Sequence, residues 1–353
     1  MPFDAQAHLG EQLDERVPPE LVGRVEYPFQ LGDAVKGTAR GRINPAATES
    51  RRTEAILEFI FGYLDLQYAL SPTRSADQTF ASRQGNCLSF VNLFVGLGRE
   101  LRLNPFYVEV EDYQRWNYQN GVVISRGHIV AGMRIDGKLS TFDFLPYQAK
   151  SYRDFRPIDD LTAMAHHYNN LGAEALISGV IGVAEDNLRI AVALAPAFDK
   201  ARNNLGVVLL RQGKLAEAIA LYEESVEVDS ENVPILTNLA RAYQQTGRSA
   251  DADRLFDKLE SINQTNPFFY VYRGDLALGQ GDTETALDYM RRAYKVDDDL
   301  PEVHIGLVRV YLALGKFTEA RHHVERALRL DATHEEARKY AALLQQHRST
   351  GDP

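Results

Sequence analysis

Cysteine is almost absent from this chain, which has one thiol, Cys87, in 353 residues. An intramolecular disulfide is therefore impossible, and without further cysteines or an HExxH motif we expect no metal site and no cofactor. No apolar run approaches the about 18 residues that a membrane-spanning helix needs. The first residues lack the basic and apolar segments of a secretory signal, so we expect a cytoplasmic protein, or a periplasmic one if a leader was removed.

A surplus of basic residues is missing as well. The net charge is −10, with 21 acidic and 18 basic residues in 1–164 and 28 acidic and 21 basic residues in 165–353. Binding to a nucleic-acid backbone requires an excess of lysine and arginine, so we expect no nucleic-acid partner. Length and an apolar content of 44% allow two domains, each with its own core.

The first half of the chain predicts an α+β domain, which we place at 48–160. Prolines and glycines interrupt residues 1–47, for which we expect an irregular arm with one short helix. A core-facing helix begins near Glu49, and alternating apolar residues predict strands at 105–111 and 122–135. These strands are separated by a polar insertion.

A third strand, 139–144, follows the dipeptide Asp136-Gly137, which is typical of a tight hairpin turn. In the strand before this turn, Ile129 and Ala131 form the buried face, so His128 is expected on the opposite face, towards the helix that follows Cys87. Antiparallel pairing across the turn brings His128 close to Asp143.

Cys87 follows the turn Gly85-Asn86 and opens a helix in which apolar residues recur at spacings of three and four. The dipole and free amides of a helix N-terminus favour a thiolate. An imidazole can accept the thiol proton, and a carboxylate can orient the imidazole. We therefore predict that Cys87, His128 and Asp143 form a catalytic group, against the alternative that Cys87 is a buried small apolar residue.

The motifs Gly85-Asn86-Cys87, Gly127-His128 and Phe142-Asp143 resemble the transglutaminase-like core of the papain-type cysteine enzymes. The resemblance covers roughly residues 50–150 and implies a papain-like α+β fold. It implies that Cys87 is the nucleophile, His128 the general base and acid, and Asp143 the orienting group. The sequence departs from the family at Val130, where an aromatic residue is common.

The group that would stabilise an oxyanion is less sharply defined by the sequence. The backbone amide of Cys87 is a natural donor, and Gln84 or Gln78 offers a side-chain amide. Papain-type enzymes use a glutamine upstream of the cysteine, which favours Gln84 without deciding between the two.

From residue 165 the sequence repeats every 34 residues without a gap. The pattern resembles the tetratricopeptide repeat, with a glycine ending the first helix of each repeat and an alanine at the contact between paired helices. A cap helix is expected at 335–347, and such repeats usually bind protein or peptide on a concave face. The predicted repeats are 165–198, 199–232, 233–266, 267–300 and 301–334; the recurring residues are Gly179, Gly213, Gly247, Gly281 and Gly315, and Ala184, Ala218, Ala252, Ala286 and Ala320.

Asn170, Asn204 and Asn238 recur at one position of successive first helices. An asparagine ladder there would bind the backbone of an extended peptide; the alternative is that asparagine is simply common at this position.

Two functions remain open from the sequence. In the first, a cysteine-dependent hydrolase or acyltransferase acts on an amide or peptide bond, and the repeats bind its protein substrate or an assembly partner. In the second, the protein is a non-catalytic scaffold whose transglutaminase-like domain is a docking module. Hydrolysis is the simpler form of the first function, because water needs no second binding site.

Overall fold

The computed structural model describes residues 3–119, 122–144, 155–262 and 267–349. Apart from the segment Tyr118–Val123, the chain up to Val228 forms one compact unit and the chain from Asp229 forms a second. The division predicted from the sequence, into residues 48–160 and 165–347, places the boundary at the start of the repeats and stays a prediction.

The α+β part of the described chain has short helices, a π-helical segment at Glu58–Tyr63, and two sheets. Its elements are α1 (Phe3–Arg16), α2 (Pro19–Val22), α3 (Asp33–Arg40), α4 (Glu49–Leu57), β1 (Gln67–Tyr68), α5 (Ala76–Ser82), β2 (Gln84–Gly85), α6 (Cys87–Glu100), β3 (Phe106–Gln119), β4 (Val122–Ile135), β5 (Lys138–Phe142) and β6 (Phe155–Ile158).

The larger sheet has the order β5-β4-β3-β6. Ile135 pairs with Lys138 across the turn at Asp136 and Gly137, both of which have positive φ, so the predicted hairpin is confirmed. The prediction of a polar insertion was wrong, because β3 continues to Gln119.

The prediction of which face of β4 meets α6 was also wrong. Ile129 and Ala131 belong to the core that contains α6, whereas Val130 packs with Val108 on the other face. Both sets are buried, so hydrophobicity alone could not identify the face that α6 covers.

The expected irregular arm is wrong as well, since residues 1–47 contain α1, α2 and α3. Leu9, Leu13 and Val17 recur every four residues and are buried against a cluster that includes Met164 and Ile190. This apolar stripe is visible in the sequence, but the prolines and glycines that follow it obscured the helix.

The remaining helices form antiparallel pairs at the predicted period. The glycine between the helices of each pair has φ between +70° and +82°, a backbone conformation that glycine adopts without strain, and the recurring alanines are fully buried. The pairs are α7 (Asp160–Ile177) with α8 (Ile181–Leu194), α9 (Asp199–Arg211) with α10 (Leu215–Val228), α11 (Val233–Gln245) with α12 (Ser249–Ser261), α13 (Pro267–Gly279) with α14 (Thr283–Val296), and α15 (Pro301–Ala313) with α16 (Phe317–Leu330), followed by α17 (Glu335–Ser349).

Gly206 shows how tightly these pairs pack. A Cβ atom at Gly206 would clash with the ring of Tyr222, which is itself fully buried. We expect Gly206→Ala to lower the free energy of unfolding by about 1–3 kcal/mol through overpacking, as measured by chemical denaturation. Gly182→Ala is the matched control, because nothing lies within 4 Å of its added methyl group; an equal loss in both variants would contradict this explanation.

Candidate functional site

Cys87 is the first residue of α6 and is partly buried. Asn86 caps the helix, with its side-chain Oδ1 accepting a hydrogen bond from the Ser89 amide at 3.0 Å. The turn at Gly85 has no space for a side chain, since a Cβ there would lie 2.6 Å from the Ser89 Cβ. The sequence Gly-Asn-Cys therefore fixes the thiol at the positive end of the helix dipole.

His128 and Asp143 lie together beside this thiol. The His128 Nε2 atom is 3.1 Å from Asp143 Oδ1, and the His128 ring is also hydrogen bonded to Cys87. The ring is almost completely buried. Burial alone would lower the pKa of His128, but Asp143 and Cys87 raise it to about 9. The structure thus brings the three predicted residues together.

The raised pKa of His128 has a consequence for stability. Its interactions stabilise the fold fully below about pH 6.5, the pKa of a free histidine, and this contribution is lost as the pH rises through about 9. At neutral pH the ring is therefore an imidazolium held between the Asp143 carboxylate and the sulfur of Cys87.

The two glutamines do not share this placement. Gln84 is exposed, and its backbone pairs with Gln67 in the small parallel sheet. Gln78 caps α5 together with Ser75, through hydrogen bonds in both directions. The backbone amide of Cys87, the third predicted donor, stands in the first turn of α6, where helix amides have no intrahelical acceptor.

A series of hydrogen bonds connects Asn86 to the first repeat helix. Asn86 Nδ2 donates to Thr73 Oγ1 at 2.7 Å, and the Thr73 hydroxyl and amide donate to Glu174 at 2.8 and 2.9 Å. Sequence reasoning missed these hydrogen bonds, because Glu174 lies 101 residues from Thr73 and no local pattern links them.

A second polar cluster surrounds Glu109 in β3. Its carboxylate accepts hydrogen bonds from Lys200 Nζ at 2.8 Å and Arg156 Nη2 at 2.6 Å, and lies 3.5 Å from His166 Nε2. Burial alone would raise the pKa of Glu109, but His166 and Lys200 lower it well below the usual value. The sequence signal for this cluster was the position of Glu109, two residues after Tyr107 and therefore on the same face of the strand. Tyr107 is buried, and an acid on a buried face needs a partner.

The predicted asparagine ladder differs from expectation in its exposure. Asn170 is partly buried, whereas Asn204 and Asn238 are fully buried. Asn204 Nδ2 donates to Asn169 Oδ1 at 2.8 Å. The structure therefore leaves Asn170 as the accessible member of the three, and their role in binding a peptide stays a prediction.

In the second unit, His323 stacks on Tyr311 and its Nδ1 atom is 2.9 Å from Nδ1 of His304. Burial lowers the pKa of both histidines, to about 4 for His323. Both rings are therefore uncharged at neutral pH and pack as aromatic side chains. Among the described residues, no group of three or more histidine, cysteine, aspartate or glutamate side chains is arranged to hold a metal ion.

Comparison with known proteins identifies the helical part of the chain. Two family models described as tetratricopeptide repeat match residues 174–232, and residues 209–267 and 277–346. This part of the chain consists of tetratricopeptide repeats. Within the described residues, every helix is too short or too polar to cross a membrane.

Curated relatives are similar to this chain over part of their length. BBSome complex member BBS4 of Bos taurus is 26% identical over 46% of this chain, and the TPR repeat-containing protein YpiA of Bacillus subtilis is 26% identical over 48%. The matches span 32% and 40% of those proteins, respectively. A solved tetratricopeptide repeat protein of Thermus thermophilus is 20% identical, with a TM-score of 0.47, over 51% of this chain and 99% of its own.

Proposed function

We propose that this protein binds a protein partner through its tetratricopeptide repeats. The observation that carries the proposal is the in-phase series of helix pairs, with glycine at each turn and alanine at each contact, over the residues that the family models match. One of the relatives is named as a member of a protein complex. Repeats of this kind present an extended surface on which a second chain can lie.

Cross-linking of the full-length chain followed by mass spectrometry tests this proposal. We expect a co-purifying protein to cross-link to the repeat helices, in both the native chain and a Cys87→Ala variant. Asn170→Ala should weaken the binding of this co-purifying protein, whereas Asn44→Ala, outside the repeats, should not. A partner that cross-links only before residue 160 would contradict the proposal.

A second function is favoured by the contact between His128, Asp143 and Cys87. We propose thiol-dependent cleavage of an amide bond by a papain-like α+β domain. Cys87, His128 and Asp143 have the roles that the resemblance to the transglutaminase-like core implies. The Cys87 thiolate attacks the amide carbonyl, the imidazolium of His128 gives its proton to the leaving amine, and a thioester remains on Cys87. Asp143 holds the imidazole in place. Water, activated by the now neutral His128, hydrolyses the thioester; an amine acceptor in its place would give acyl transfer.

The two functions give different results with Cys87→Ala. If the native chain and the variant bind the partner equally, the result supports the scaffold function alone. A covalent adduct on Cys87 that hydroxylamine releases, and that the variant lacks, supports the enzyme. Native protein that never forms such an adduct with the bound partner would sink the catalytic proposal and leave the binding proposal standing.

A further inference from the structure

A cavity of about 760 Å³ lies within the first compact unit. It is open to solvent and is lined by the chain segment before α3, the loop before α5, and helices α5, α7 and α8. Its walls include Arg24, Glu26, Arg74, His167 and Tyr168. The residues of the cysteine site are not among its walls, so it is a separate feature of the unit.

His167 presents a hydrogen-bond donor that has no acceptor among the residues that the structure describes. Tyr107 donates its hydroxyl hydrogen to Asn92 Oδ1 at 3.0 Å, which makes the other end of that amide, Nδ2, the donor. Asn92 Nδ2 lies 3.4 Å from His167 Nδ1, so Nδ1 is the acceptor and the proton of the neutral ring is on Nε2. The His167 side chain is 6% exposed overall, and the residue forms part of the cavity wall.

Arg74 supplies a positive charge to the same cavity. Its side chain is partly buried, and Nη1 donates to the Pro72 carbonyl at 3.1 Å. Over the described ranges, no carboxylate lies within 4.0 Å of its guanidinium group. A guanidinium with N–H groups that no carboxylate engages is a strong site for an anionic oxygen.

The other charged groups in the walls are already engaged or solvated. Arg24 is paired with Asp186 outside the cavity, and the Tyr168 hydroxyl accepts from the Glu26 amide at 2.7 Å. The Glu26 side chain is exposed, so water and salt screen its charge.

We propose that this cavity binds a small ligand through an anionic oxygen group, a carboxylate or a phosphate, held by the Arg74 guanidinium and the His167 Nε2–H. The volume is that of a typical small-molecule site, and Leu171 and Pro28 provide apolar walls for the body of the ligand. This site does not depend on the proposed repeat or cysteine functions.

Titration of the full-length protein with inorganic phosphate and with acetate, against sodium chloride of equal ionic strength, tests the proposal. We expect at least one anion to bind, and Arg74→Gln to raise its Kd by about tenfold or more. Arg51→Gln, an exposed arginine outside the cavity, should leave the Kd within about twofold. Tighter binding of phosphate identifies a phosphate ligand, and tighter binding of acetate identifies a carboxylate.

The His167 ring gives a second measurement that does not require a variant of Arg74 to fold. Its Nε2–H resonance, assigned by comparison with His167→Gln, should shift as the anion saturates the native protein. No binding of either anion, an unmoved His167 resonance, or equal affinity of native protein and folded Arg74→Gln overturns the proposal.

Discussion

His128→Ala is expected to slow alkylation of Cys87 by iodoacetamide about tenfold or more at about pH 6. In the native protein the thiol lies beside a ring whose pKa is raised to about 9, so an imidazolium is present to stabilise the thiolate. Alanine removes that positive charge from beside the thiol, so the thiolate is no longer favoured. Because Cys87 is the only cysteine, the mass increase of the intact chain measures its modification without ambiguity.

Asp143→Asn should give an intermediate rate, since the ring remains but loses the carboxylate 3.1 Å from Nε2. His322→Ala serves as the control, because His322 is exposed and lies in the other compact unit. Labelling in denaturant establishes that the thiol of every variant can react. Equal rates in native protein and His128→Ala would refute an activated thiolate, whatever the repeats bind.

The repeats could be predicted from the sequence because each helix pair is a local unit. Gly213 has positive φ and Ala218 is fully buried for reasons contained within one repeat, and the same pattern recurs along the chain. The helix α1 was missed although Leu9 and Leu13 show its period, since its stability comes from packing against α7 and α8. Helix content that depends on tertiary contact is poorly encoded in a local pattern.

The proximity of His128 to Asp143 was also predictable, through a different kind of signal. The hairpin at Asp136-Gly137 fixes the pairing of β4 with β5, and that pairing sets His128 near Asp143. The polar contacts between residues far apart in the sequence follow from no such rule. Glu174 reaches Thr73 across 101 residues and Lys200 reaches Glu109 across 91, and only the packed helices bring these pairs together.

Glu109→Ala is expected to lower the free energy of unfolding by about 3–5 kcal/mol, the usual effect of removing one partner from a buried ion pair. The Glu109 side chain is 4% exposed and the Lys200 side chain 16%. Without the carboxylate, the Lys200 ammonium remains between β3 and α9 with its desolvation uncompensated. Denaturation in urea, followed by circular dichroism, measures the loss.

The pH dependence of this loss gives an internal check. His166 and Lys200 hold the pKa of Glu109 below its usual value of 4.5, so the native carboxylate contributes stability above that value and the contribution is lost as the pH falls. The difference in stability between native protein and Glu109→Ala should therefore be largest near neutral pH and shrink in acid.

Glu224→Ala is the matched control for Glu109→Ala. Its side chain also bonds an arginine, Arg202 at 2.8 Å, but Glu224 is 67% exposed. Water solvates an exposed pair in the unfolded and folded chain alike, so its removal is expected to cost less than about 1 kcal/mol. Similar losses in the two variants would mean that burial does not strengthen the Glu109 cluster. A large loss for Glu109 alone, fading in acid, would identify that cluster as the electrostatic link between the sheet and the first repeat helices.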